Sequence, residues 1–217
     1  MPDKKQICIV DDHPVFRKGL AQLINEEQDL EVAGEAGTVE AAIRMISESR
    51  PDLAVVDLTL KDQSGLELID YLTRHFTGLP VLVVSMHDES LYAERVLRAG
   101  AMGYITKQEM ADNVVTAIRQ VLKGKRYVSA DMVDLLLGKL SMAAPEQGQN
   151  PLSALSDREF DVFRMTGQGL KRREMAERLH LSVKTIGTYR ESIKKKMGLK
   201  SAAQLMKHAV AFTQKKP

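Results

Sequence analysis

Cysteine is almost missing from this chain. Cys8 is its one thiol, so no internal disulfide can form, and a disulfide-stapled secreted scaffold is excluded. Tryptophan is absent and aromatics make up 5% of the 217 residues, so the core must rest on aliphatic side chains. No apolar run approaches the ~20 residues that span a bilayer. The opening MPDKKQICIV has neither the long apolar stretch nor the small-residue cleavage site of a signal peptide. The expectation is a cytoplasmic protein with no membrane partner. Cys8 lies within an apolar run and should pack as a small hydrophobe.

What is present is unevenly distributed. The net charge of +2 conceals 13 Lys and Arg against 20 Asp and Glu in residues 1–124, or −7, and 15 against 6 in residues 153–217, or +9. An acidic part joined to a basic part implies two domains with different partners, nucleic acid being a candidate for the basic one.

The first 124 residues alternate short apolar runs with amphipathic stretches. Strands are predicted over 7–11, 30–36, 53–57, 81–85 and 103–106. Helices are predicted from Pro14, from Thr38 to about 49, from the Ser64-Gly65-Leu66-Glu67 capping box to about 75, over 89–99 and over 109–123. In the first helix, Val15, Leu20, Leu23 and Ile24 are assigned one face. This alternation predicts an α/β fold whose parallel sheet is covered on both faces, with right-handed connections and a ligand site at the carboxyl ends of the strands. A further helix is expected over 129–140, capped by Ser129, and the polar stretch 141–154, with two prolines, reads as a linker. Beyond it the pattern is helical only: from a capping box at Ser156-Asp157-Arg158-Glu159, over 172–179, over 182–197, and from Ser201. The division is therefore 1–124, a linker helix and linker over 125–152, and a helical domain over 153–217.

Polar residues interrupt four of the five apolar runs at the same end. Asp11 and Asp12 follow the first, Asp57 ends LAVVD, Ser85 ends VLVVS, and Lys107 follows the fifth. Adjacent carboxylates repel, and a hard divalent cation resolves the repulsion: Mg²⁺ takes one or two carboxylates together with waters and phosphate oxygens. Held between Asp12 and Asp57, with Asp11 acting directly or through water, it would also neutralise an incoming phosphoryl donor. A carboxylate nucleophile forms an acyl phosphate, Lys107 would stabilise charge on the transferring group, and the Ser85 hydroxyl could donate to a phosphate oxygen. Taken singly, each residue reads first as structural, a cap, a loop residue or a solvated lysine; their coincidence at four strand ends reverses that and favours a site. His13 could ligand a metal but reads first as the residue preceding a helix, and His87 lies at the pocket mouth.

As a set, the DD pair at 11–12, Asp57, Ser85 and GAMGYITK at 100–107 resemble the receiver domain of bacterial two-component response regulators. The resemblance implies a flavodoxin-like, doubly wound, five-stranded parallel sheet in the order 2-1-3-4-5. It implies Asp57 as phosphoacceptor, Asp11 and Asp12 as the acidic pair, and the Thr59 backbone carbonyl as a further Mg²⁺ ligand. Ser85 and Tyr104 would be the switch pair and Lys107 the phosphate-binding amine. The chain departs from the family at Lys61 and Gln108, where proline is frequent, which bears on loop geometry and on the lifetime of the phosphoryl group.

In the basic part, RREMAERLHL followed by LSVKTIGTYRESIKKKMG suggests a helix-turn-helix. Ile186 and Ile193 should anchor the second helix. Lys184, Gly187, Thr188, Glu191 and Lys195 lie on its other side, Arg190, Lys194, Lys195 and Lys196 could neutralise phosphates, and Thr185 and Tyr189 could add hydrogen bonds. A basic solvated helix would carry the same charges. The stretches LSDREFDVF and GQGLKRREMAERLHLSVKTIGTYRESIKKKMGL resemble the LuxR-type DNA-binding domain, which with a receiver implies the NarL/FixJ group, an all-α helix-turn-helix domain and a last helix that supports dimer contacts.

The reading is a transcription regulator and not an enzyme beyond phosphoryl chemistry at its own Asp57. A sensor histidine kinase would be the phosphodonor, promoter DNA the target, and a homodimer the phosphorylated form. Two alternatives stand beside it: a constitutive DNA-binding protein whose receiver does not switch, and a Mg²⁺-dependent phosphohydrolase.

Overall fold

A computed structural model describes residues 4–60, 64–141, 151–179 and 181–214. The chain divides into two units, residues 1–144 and 145–217.

The first unit alternates strand and helix as far as its fifth helix, and a sixth helix follows. The elements are β1 (Lys5–Val10), α1 (Pro14–Asn25), β2 (Leu30–Ala36), α2 (Val39–Ser49), β3 (Leu53–Val56), α3 (Gly65–His75), β4 (Val81–Ser85), α4 (Glu89–Arg98), β5 (Gly103–Thr106), α5 (Met110–Leu122) and α6 (Ala130–Ser141). All strand pairs are parallel, in the order β2-β1-β3-β4-β5, as the resemblance implied. The central strands β3 and β4 are buried at every position, because helices cover both faces. Alternate residues of β1, β3, β4 and β5 (Ile7, Ile9, Leu53, Val55, Leu82, Val84, Ile105) pack against Leu20 and Ile24 of α1 and Val114 and Ile118 of α5. Cys8 is buried, and burial raises its thiol pKa.

Helix starts follow local chemistry. Pro14 opens α1, and the side chains of Thr38, Ser64 and Asp88 accept backbone N–H bonds at the starts of α2, α3 and α4. One sequence expectation fails in α1. Val15 is 86% exposed, whereas Leu20 and Ile24 are buried. At about 100° per residue, Val15 stands roughly 140° from Leu20; Phe16 takes the inward place beside that core.

The first unit continues past α5. Tyr127 pairs with the edge of β5 through a parallel bridge to Gly103, with Tyr104 N–H donating to the Tyr127 carbonyl at 2.8 Å. A Cβ on Gly103 would lie 2.8 Å from that carbonyl, so only glycine admits this approach. The Ser129 N–H then donates to Glu89 Oε1 at 2.9 Å and its hydroxyl caps α6, whose Met132 is buried. Most of the predicted linker, 142–150, lies outside the described residues, while Pro151–Ala154 form a turn of 3-10 helix.

The second unit consists of α7 (Asp157–Gly167), α8 (Arg172–Arg178), α9 (Val183–Lys196) and α10 (Ala202–Gln214). Ser156 and Glu159 form the expected reciprocal capping box. Phe163, Met175, Ile186, Ile193 and Leu205 are buried at 1% exposure or less, and Phe212 of α10 meets the rings of Phe160 and Phe163 of α7, both at 5.7 Å.

Candidate functional site

The sheet ladder continues one residue beyond the strands and gathers the polar residues. Asp11 N–H donates to the Ala36 carbonyl at 3.0 Å, Asp57 N–H to the Val10 carbonyl at 2.8 Å, and Lys107 N–H to the Ser85 carbonyl at 2.7 Å. Three strand ends thus present Asp11, Asp57 and Lys107 to one point. Lys107 Nζ donates to Asp11 Oδ2 at 2.6 Å and to Asp57 Oδ2 at 2.8 Å, and all three side chains are at most 4% exposed. The ammonium also stands 4.1 Å from the centroid of the Phe16 ring, a cation–π contact.

One lysine does not balance three carboxylates. Burial raises the Asp57 pKa to about 6, with the Asp11 charge adding to the rise while Lys107 and the Thr59 N–H oppose it. At pH 7 Asp57 is therefore largely ionised and able to act as a nucleophile.

Asp11, Asp12, His13 and Asp57 each bring a ligand atom to within 4.8 Å of the others, and they form the one such group among the described residues. Asp12 Oδ1 is buried without a hydrogen-bond partner among the described residues. His13 Nδ1 comes within 2.7 Å of it, but without hydrogen-bond alignment. An orphaned buried carboxylate oxygen beside two further carboxylates fits a divalent cation, and the oxygen-rich donor set suits a hard one.

The walls of the pocket tie neighbouring loops together. Thr59 N–H donates to Asp57 Oδ1 at 3.2 Å, and its hydroxyl contacts His87 Nε2 at 3.1 Å. His87 N–H donates to Ser85 Oγ at 3.2 Å, and the buried Tyr104 hydroxyl donates to the His87 carbonyl at 2.9 Å. Burial raises the Tyr104 pKa, with the Ser85 side chain partly opposing the shift. Gly65 sits against the backbone that carries Asp57: a Cβ there would come within 2.2 Å of the Asp57 carbonyl. Lys61 lies outside the described residues, and Gln108 is exposed.

One feature of the pocket, the Arg17 clamp, has little trace in the sequence, and a second, His13, was read there first as the residue before a helix. Arg17 donates from Nη1 to the Asp11 carbonyl at 2.6 Å and from Nε to Glu35 at 3.0 Å, clamping the acidic turn to the β2 side of the sheet. His13 is part of the anionic cluster as well as the residue before α1. For Arg17 the only available hint was proximity to the aspartate pair.

In the second unit α9 carries the basic stripe. Lys184, Thr188, Glu191 and Lys195 are all exposed; spaced four, three and four apart, they fall within about 60° of arc. The buried Ile186 and Ile193 are opposite. Gly187 and Lys194 flank the stripe on one side, and a Cβ at Gly187 would meet nothing within 4 Å. Lys194 pairs with Glu191 at 2.9 Å.

The remaining residues singled out on α9 are half-buried, and two of them have internal partners. Thr185 contacts the Ser182 hydroxyl at 2.8 Å, Tyr189 is half-buried, and Arg190 donates to Thr166 Oγ1 at 3.2 Å. Burial and the Arg172 charge lower the Arg190 pKa. Lys196 has a partner within the unit that the sequence did not show: it pairs with Glu159 of the capping box at 2.7 Å. Glu159 also accepts from Ser192 Oγ at 2.6 Å and from Ser156 N–H at 2.7 Å. Burial opposes its charge, but these three donors together hold its pKa below the ordinary value.

Comparison with known proteins agrees with both halves. Residues 7–119 match the response regulator receiver domain, and residues 153–209 match the bacterial regulatory proteins of the luxR family. Response regulator UvrY of Escherichia coli K12 is 30% identical over 204 residues, covering 94% of this chain and 93% of its own. A structure of RcsB from Salmonella enterica serovar Typhimurium, bound to promoter P1flhDC in the presence of the phosphomimetic BeF3-, superposes with a TM-score of 0.60 at 25% identity, covering 96% and 100% of the two chains. A second, of two RcsB dimers bound to two parallel DNAs, gives 0.58 at 26% identity, covering 96% and 99%.

Proposed function

The chain belongs to the response regulators that join a receiver domain to a luxR-family DNA-binding domain, and from that premise we propose that Asp57 is its phosphoacceptor and that the acyl phosphate controls DNA binding through α9. The observation that carries this reading is the buried Asp57 carboxylate, held by Lys107 at 2.8 Å beside the acidic pair. No helix among the described residues is long and apolar enough to cross a membrane, which accords with action in the cytoplasm.

A Mg²⁺ ion held by Asp12, Asp57 and the Thr59 carbonyl, with Asp11 alongside, would neutralise charge on the carboxylates and on the phosphoryl oxygens. The protein's own groups do the rest. Asp57 attacks the phosphorus of a phosphohistidine on a sensor kinase, or of a small acyl phosphate, and the donor leaves. Lys107, already within hydrogen-bond reach of Asp57, moves its contact to a phosphoryl oxygen and stabilises the charge that develops there. Ser85 turns its hydroxyl to another oxygen and loosens its bond with His87 N–H. Tyr104, inward and bonded to the His87 carbonyl, follows that loop. The phosphate thereby biases the α4–β5 surface, a local charge event with a distant readout.

The second unit reads the signal out on promoter DNA. Lys184, Thr188, Glu191 and Lys195 face the groove, Gly187 lets the helix approach closely, and Lys194 supplies phosphate contact. Thr185, Tyr189 and Arg190 lie on α9 outside that stripe and support the helix from half-buried positions. A homodimer would set two such helices on two half-sites; the RcsB dimers on DNA support that arrangement.

The deciding experiment treats full-length protein with Mg²⁺ and beryllofluoride or acetyl phosphate and measures binding to selected duplexes. Modification at Asp57 with tighter binding is expected. DNA binding that ignores the phosphate mimic would overturn phosphorylation control in favour of a constitutive DNA-binding protein, and steady turnover of an unrelated phosphoester would favour a hydrolase.

A further inference from the structure

The acidic pocket contains one nitrogen donor. His13 follows the aspartate pair directly, and its backbone N–H donates to Asp11 Oδ1 at 2.7 Å. That bond turns the ring back over the carboxylates, so Nδ1 lies 3.2 Å from Asp11 Oδ1 and 2.7 Å from Asp12 Oδ1. The Asp12 side chain is 9% exposed, and its Oδ1 has no hydrogen-bond partner among the described residues. The imidazole itself is 60% exposed and can adjust its rotamer without disturbing the core. It already shares with Asp11, Asp12 and Asp57 a cluster of ligand atoms within 4.8 Å.

We infer that His13 is a fourth ligand at this site, selecting borderline divalent cations over Mg²⁺. Carboxylate and carbonyl oxygens suit a hard ion and discriminate little among divalent metals, whereas imidazole favours cobalt, nickel and zinc. The pocket would then accept Mg²⁺ through its oxygens alone and hold a late first-row cation through the oxygens and His13 together. The inference rests on the proposed cation site at Asp12 and Asp57 and adds the identity of the metal that site prefers.

The test is calorimetric titration of the full-length protein with Mg²⁺ and with Co²⁺, the latter followed also by its visible ligand-field bands. Asp12→Ala identifies the shared site, since both titrations should collapse in it. In His13→Ala the Co²⁺ affinity should fall about tenfold and the visible bands should shift as nitrogen is replaced by water, while Mg²⁺ affinity changes less than about twofold. The unchanged Mg²⁺ isotherm serves as the check that the variant is folded. Co²⁺ affinity and spectrum insensitive to His13, or equal losses for both ions, would overturn the inference and leave the Mg²⁺ site standing. Wild-type protein that binds neither ion would overturn the cation site itself.

Discussion

Lys107 and Asp57, fifty residues apart in the chain, meet at 2.8 Å with both side chains almost wholly buried. The same ammonium reaches Asp11 at 2.6 Å, so a single cation restrains the anionic end of the sheet. Lys107→Ala leaves buried carboxylates without their counter-charge, and removing one partner of a buried pair costs about 3 kcal/mol or more. Urea unfolding should show that loss in metal-free protein and its partial recovery with Mg²⁺. Equal stability of variant and wild type in chelator would contradict this role.

Asp57→Asn should abolish labelling by acetyl phosphate while the domain stays folded. It should also stabilise the metal-free protein at neutral pH. The folded carboxyl is raised to about 6 from its ordinary 3.8, so the native state binds the proton more tightly than the unfolded chain does. Wild-type stability therefore falls as pH rises between those values. The advantage of the variant should be small at pH 4 and full above about pH 7, on the order of 3 kcal/mol, as read by denaturant titration in chelator. Labelling that survives the substitution would place the acceptor elsewhere.

Lys195→Ala and Lys184→Ala remove exposed charges from the outer stripe of α9. Each should weaken binding to specific and unrelated duplexes alike, and each should flatten the plot of log affinity against log salt by about one unit. A loss confined to one DNA sequence would instead make the residue a base reader. Lys196→Ala should act differently, lowering the stability of the second unit because its partner is Glu159.

Glu159 sets a pH dependence of the opposite sign to that of Asp57. Its folded pKa is lowered from 4.5, so its contribution is present above that value and is lost as pH falls through the folded pKa. Glu159→Gln should lower the melting temperature of the second unit at pH 7, and the gap should narrow below about pH 4.5. A gap that does not change with pH would mean that the ion pair with Lys196 contributes nothing beyond shape.

Much of this was legible from neighbouring residues. Four apolar runs ending in Asp11, Asp57, Ser85 and just before Lys107 placed a site at one edge of a parallel sheet. The Ser156 and Glu159 capping box could be read in four letters. Val15 was misread because an apolar residue near a helix start was assigned to a face that the helical angle denies it. The Lys196 ion pair was not legible because a run of three lysines looks uniform until one of them meets a buried carboxylate.

By itself the sequence determined the elements, their order, the two charge territories and the identity of the polar residues at the strand ends, because periodicity and capping act within a few residues. Only the tertiary structure decided which polar groups meet: Lys107 with two aspartates, Arg17 with the Asp11 carbonyl, His13 with Asp12, Gly65 against the Asp57 backbone, Tyr104 turned inward to His87. Those choices depend on strand register and on distances across the sheet, and long side chains select among several partners only once the backbone has brought those partners within reach.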